Sequence, residues 1–205
     1  MAVKEPISKV NLERLTNGIY AFTMTLMIRN IQTPPHGTII GAASFATYLD
    51  TTVLAVFDFI GAFLILGMFW LFYFQIFHRM KTFDHKFLYI HLLSLMVVVF
   101  VPFTSSFSNE SSIYPIADTL FQLNYFILAV LLVFAWHYAR THPYLLEPEL
   151  TESEASFLAK KFFVPLVVAS VGIVFVIAGV TYFDVLYLVP FIILGIFFRS
   201  PPYED

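Results

Sequence analysis

The chain has 205 residues, of which 59% are hydrophobic, 19% aromatic and 12% charged, with a mean hydropathy of +0.81. A soluble domain of this size cannot hide so much apolar side chain, since ordinary usage is roughly 45–50% apolar and about 25% charged, so the surplus must face lipid. A net charge of −3 gives no basic field for nucleic acid, and the absence of cysteine removes disulfides, thiolate metal sites and a cysteine nucleophile.

The opening Met1–Val10 carries no apolar core followed by a small-residue cleavage site. No signal peptide is expected, and the first helix should insert and stay. A spanning helix needs roughly 17–25 mostly apolar residues. Six stretches qualify, with edges good to a few residues: 15–31, 52–77, 87–103, 116–138, 162–180 and 185–198. The first ends before Pro34-Pro35, which cannot continue a helix. The second is long enough to tilt, and the third contains Pro102 near its end. The last two are short, and Thr181-Tyr-Phe-Asp184 between them suggests a tight turn; fusing them into one bent helix is the alternative. The expected fold is an all-α integral membrane protein, one domain of six transmembrane helices over 1–205.

Orientation follows from Lys and Arg. With the N-terminus inside, the inner segments hold Lys4, Lys9, Arg14, Arg79, Lys81, Lys86, Arg140, Lys160, Lys161 and Arg199, ten of the eleven basic residues. Glu110, Asp118 and Asp184 fall outside, as the positive-inside rule permits. Both termini are therefore expected to be cytoplasmic, with Arg29 as the one basic residue on the far side. The acidic stretch Glu147–Glu154 forms an inner linker between the first four helices and the last two, with Thr151 or Ser153 placed to cap the helix that follows.

The first helix is the least apolar. At 100° per residue, Asn11, Gly18, Phe22, Thr25 and Arg29 fall within about 60° of one another. Lipid disfavours such a face, so it should point at protein or water. Two readings stay open. In one the stripe packs against sibling helices, Gly18 allowing close approach and Thr25 bonding to a carbonyl. In the other, copies of the stripe meet around a symmetry axis and line a pore.

Other chemistry finds little support. His91 and His137, on the third and fourth helices, make a bis-His haem conceivable, against the commoner case of hydrogen-bonded histidines. No Gly-x-Ser-x-Gly, His-Glu-x-x-His or phosphate-loop motif occurs, and no enzyme activity or metal site is expected.

Two stretches resemble one known family. Asn11-Leu-Glu-Arg-Leu-Thr-Asn-Gly-Ile-Tyr-Ala-Phe-Thr-Met-Thr-Leu-Met-Ile28 is similar to the first helix of the transmembrane protein 175 family of potassium channels, whose pattern is Arg-x-x-x-Phe-Ser-Asp-Gly before an apolar run. Phe69–His78, Phe83–Leu92 and Phe100–Ser105 resemble the family's second and third helices, in the same order. The likeness extends to about Arg140.

The resemblance implies a homotetramer of the prokaryotic six-helix type in a plasma membrane, with four first helices around one pore. Potassium would be the permeant ion, lipid the surroundings, and no cofactor would be needed. Carried over by position, Gly18, Phe22, Thr25, Leu26 and Arg29 would line the pore. Phe22 would form the apolar constriction and Thr25 would help accommodate a partly dehydrated monovalent cation. A hydrophobic ring can gate by dewetting, and hydroxyl oxygens can replace part of a hydration shell.

The chain also departs from the family. Asn11, Leu15, Thr16 and Asn17 stand where the family has Arg, Phe, Ser and Asp, and Tyr73-Phe74 stand where it has a His pair after Trp70. The resemblance therefore implies a neutral network of Asn11, Thr16, Asn17, Trp70 and Tyr73 supporting the pore helix. Four Arg29 side chains at a pore mouth would oppose cations by roughly 4 kcal/mol per unit pair at 4 Å and effective dielectric 20. Pairing with Asp58 or Asp50 would relieve this.

Overall fold

A computed structural model describes residues 8–34, 36–38, 41–110, 115–180, 186 and 188–198. The turn expected at 181–184, Lys4 and Arg199 lie outside them. The described residues form helices and short loops: α1 (Lys9–Leu26), a 3-10 turn (Met27–Asn30), α2 (Ala42–His78), α3 (His85–Glu110), α4 (Pro115–Thr141), a second 3-10 turn (Pro143–Leu145), α5 (Glu152–Ile177) and α6 (Val189–Phe197).

Four helices are long and apolar enough to cross a membrane, Ala42–His78, His85–Ser108, Ile116–Thr141 and Glu152–Ile177. The chain is accordingly a multi-pass membrane protein. The 37 residues of α2 rise about 55 Å, well beyond a hydrocarbon core of about 30 Å. The first helix begins at Lys9, earlier than apolarity alone suggests, because Ser8 caps it: its hydroxyl oxygen accepts from Asn11 N at 3.4 Å. Helix and 3-10 turn together rise about 35 Å, a membrane's depth despite Glu13 and Arg14. The nine residues of α6 rise only about 14 Å. Thr151 caps α5, its hydroxyl accepting from Glu154 N at 3.2 Å, so that helix starts in the acidic linker.

Cross-helix contacts fix the register. Thr16 meets His91 and Asn30 meets Ser105, so α1 and α3 run parallel. Lys9 reaches Met80 while Trp70 meets Asn17, so α2 runs antiparallel to α1. Asn124 with Thr104, and Ser108 with Asp118, set α4 antiparallel to α3. Trp136 Nε1 donates to Ala155 O at 3.2 Å, joining α4 to α5. The core holds large rings from five helices, among them Tyr20, Phe69, Phe72, Phe87, Trp136 and Phe162. Phe162 packs edge-on against both Phe72 and Trp136.

Two loops are zipped together at one end of the bundle. Lys81 N donates to Leu145 O at 2.8 Å and Glu147 N to Arg79 O at 3.0 Å, around a Met80–Leu146 bridge. Ion pairs Arg79–Glu154 and Arg140–Glu152 flank it. Asp84 accepts from the hydroxyls of Tyr138 at 2.6 Å and Tyr144 at 2.8 Å, and from Phe87 N at 2.8 Å. Burial pushes the Asp84 carboxyl up, but these donors, with His142 nearby, outweigh it and hold the pKa below the ordinary carboxylate value. Lys9, Arg79, Lys81, Lys86 and Arg140 gather at this end.

Candidate functional site

The first helix has two unlike faces. Leu12, Thr16, Tyr20, Thr23 and Met27 are buried against the chain's own core. Their spacing of three to four residues is one face of a helix. Opposite them Asn11, Gly18, Thr25 and Arg29 are exposed, and Phe22 is 63% exposed although it is a phenylalanine on a helix that packs on two others. Leu26 is half-buried at the stripe's edge. The chain leaves this semi-polar face of α1 uncovered.

Local chemistry on that face is specific. The Thr25 hydroxyl donates to Phe22 O at 2.7 Å, which commits its proton to the backbone and turns oxygen lone pairs outward. A Cβ placed on Gly18 would meet no atom within 4 Å. Packing within the chain therefore does not require glycine there, although glycine costs a helix about 1 kcal/mol relative to alanine.

Behind the stripe, uncharged hydrogen bonds tie α1 to its neighbours. Trp70 Nε1 donates to Asn17 Oδ1 at 2.8 Å. Thr16 Oγ1 lies 2.7 Å from His91 Nε2, and its hydroxyl also reaches Leu12 O at 2.8 Å. The Tyr73 hydroxyl donates to Ser94 Oγ at 2.6 Å, and Ser94 donates on to Ile90 O at 3.2 Å. Three of the five expected support residues, Thr16, Asn17 and Trp70, thus bond directly across α1, and Tyr73 bonds between α2 and α3. Asn11 is different: its side chain is exposed and its backbone serves the Ser8 cap.

Sequence reasoning passed over His91 and Ser94 as partners. They stand three residues apart on α3, the spacing of one helix face, and that was the available signal. His91 sits among Tyr73, Phe77 and Phe87, with ring centroids 4.5, 5.0 and 6.4 Å away. His137 is exposed on α4, whereas His91 is fully buried on α3. Arg29 lies exposed in the 3-10 turn after α1, and Asp58 is half-buried on α2.

Comparison with known proteins agrees with this architecture. The family model described as endosomal/lysosomal potassium channel TMEM175 matches residues 11–102, from the start of the stripe to Pro102. A potassium channel of Chamaesiphon minutus is 28% identical over 156 residues, covering 74% of this chain and 75% of that protein. A potassium channel of Streptomyces collinus is 27% identical over 182 residues, covering 83% and 84%. The fold is shared with the crystal structure of a lysosomal potassium-selective channel TMEM175 homolog from Chamaesiphon minutus, at a TM-score of 0.73 and 21% identity over 90% of this chain and 96% of that one. Over the α1 to α3 segment the chain is thus similar to the TMEM175 family, and its fold is that of a TMEM175 homolog.

Proposed function

We propose that this chain forms a homotetrameric cation channel, potassium-preferring or weakly selective, in a prokaryotic plasma membrane. Four copies of α1 surround the axis, with both termini cytoplasmic. One observation carries the reading: the semi-polar stripe of α1 is exposed in the subunit while the opposite face is buried. Asn, Gly, Thr and Arg on a membrane-deep helix disfavour acyl chains. The relatives' description as potassium channels supports water and ions as what the stripe meets.

In this reading Phe22 forms the apolar constriction, and Gly18, Thr25 and Leu26 line the path beside it. Thr25 oxygens, their protons turned to the backbone, offer lone pairs to a partly dehydrated cation. Thr16, Asn17, Trp70 and Tyr73 support the helix, while Asn11 stays on the exposed stripe. Arg29, at the outer mouth, turns towards Asp58 so that its charge is paired.

The exposure of Arg29 favours a second reading: a relative that does not conduct, passes anions or protons, or serves as a membrane scaffold. Potassium flux into liposomes holding the purified protein separates the two. The channel reading predicts movement without an added ionophore, increased by Phe22→Ala. No flux in either protein leaves the second reading standing.

A further inference from the structure

A cleft of about 110 Å³ opens between the first turns of α1 and the last turns of α2. That is room for a group of several heavy atoms, a water's share of liquid volume being about 30 Å³. Its walls combine unlike chemistries. Glu13, the sole acidic residue of α1, is half-buried in it and makes no hydrogen bond or ion pair with any described residue. A carboxylate partly withdrawn from water without a partner is costly. The aromatic rings of Trp70, Phe74 and Phe77 form the apolar side, the first two with centroids 6.1 Å apart. An anionic group beside aromatic faces is the environment that attracts an ammonium.

A bare cation fits poorly, because Lys9 and His78 rim the same cleft. The Lys9 ammonium is held close by, donating to Met80 O at 2.6 Å. An anionic group suits that rim. The cleft also lies where the apolar run of α2 meets the charged loop 79–84, and Phe74 beside it is 57% exposed. Headgroups lie at that level of a bilayer.

We propose that this cleft binds the zwitterionic headgroup of a phospholipid, Glu13 taking its ammonium and Lys9 and His78 facing its phosphate. The bound head would rest beside the Asn17–Trp70 bond, whose two residues also line the cleft, and so brace the foot of α1. The inference needs the membrane but not conduction, so it stands or falls apart from the channel reading.

The test is native mass spectrometry of the full-length, delipidated protein with phosphatidylethanolamine, phosphatidylcholine or phosphatidylglycerol added. One ethanolamine or choline lipid per subunit should be retained in preference to the glycerol lipid. Glu13→Gln should weaken that retention about tenfold, the scale of one charge-assisted hydrogen bond, and Glu13→Asp should restore much of it. Should Glu13→Gln fail to fold, His78→Ala and Phe74→Leu at the rim carry the test, each weakening retention. Equal retention of phosphatidylglycerol, or no change in the variants, overturns the proposal. Soluble phosphoethanolamine competing as well as the lipid also overturns it, since the occupant would then be a free solute.

Discussion

Thr16 and His91 meet inside the bundle, Oγ1 to Nε2 at 2.7 Å, with both residues buried. Because the Thr16 hydroxyl also donates to Leu12 O, its oxygen is left to accept from an Nε2–H. That assigns the tautomer with Nδ1 unprotonated, and Nδ1 has no hydrogen-bond partner among the described residues. A lone pair without a donor is what this arrangement leaves buried. The bond anchors α1 to α3 directly behind the exposed stripe.

Removing either partner strands the other. Thr16→Val and His91→Leu should each lower thermal stability in detergent by about 1–2 kcal/mol, while the double variant costs clearly less than their sum. Hydrogen bonds within membranes average below 1 kcal/mol of coupling, so the cycle should return about 0.5–1.5 kcal/mol. Strict additivity would mean that the two groups do not bond.

The loop clasp should respond to acid through Asp84. Its folded pKa is depressed, so its contribution to stability is complete above the unfolded carboxylate value of about 3.9 and is lost as pH falls from there through the folded value. Melting temperature between about pH 2 and pH 6 should therefore fall on the acid side. Asp84→Asn should flatten that limb, and an unchanged limb would assign the acid sensitivity elsewhere. The Tyr144 phenol, its proton donated to Asp84, is correspondingly pushed up.

Gly18→Ala separates subunit from assembly. Within one subunit the added methyl meets nothing, so helix propensity alone should leave thermal stability unchanged or raise it by up to about 1 kcal/mol. If copies of α1 approach one another at this position, light scattering or flux should show weakened assembly or conduction. Full assembly with unaltered flux would remove Gly18 from the axis.

Arg29→Gln tests the paired charge. With the guanidinium held by Asp58, the variant should melt lower and Asp58→Asn should melt with it, while cation flux changes little. Raised flux at unchanged stability would put the charge at the pore mouth instead.

Much of this was legible in the sequence for a physical reason. Long apolar runs between charged loops announce helices, and the uneven distribution of Lys and Arg predicts the end of the bundle at which Lys9, Arg79 and Arg140 gather. The stripe on α1 was visible because 3.6-residue spacing sorts Phe22 and Thr25 from Tyr20 and Thr23. The Thr151 cap was among those the linker offered and does start α5, whereas the Ser8 cap, which starts α1 well before its apolar run, was not legible. The clasp was invisible because main-chain bonds such as Lys81 N to Leu145 O leave no side-chain pattern. Thr16 and Tyr73 were foreseen as polar supports, but their partners His91 and Ser94 lie on α3, about 75 and 21 positions away.

The chain contains no cysteine, so Thr25→Cys introduces a single thiol per subunit without further engineering. Potassium flux in liposomes should be blocked when a charged, membrane-impermeant thiosulfonate reaches that thiol through water. If only a lipid-soluble reagent labels it, and flux is unaffected, residue 25 faces acyl chains and the four-helix conduction path is contradicted.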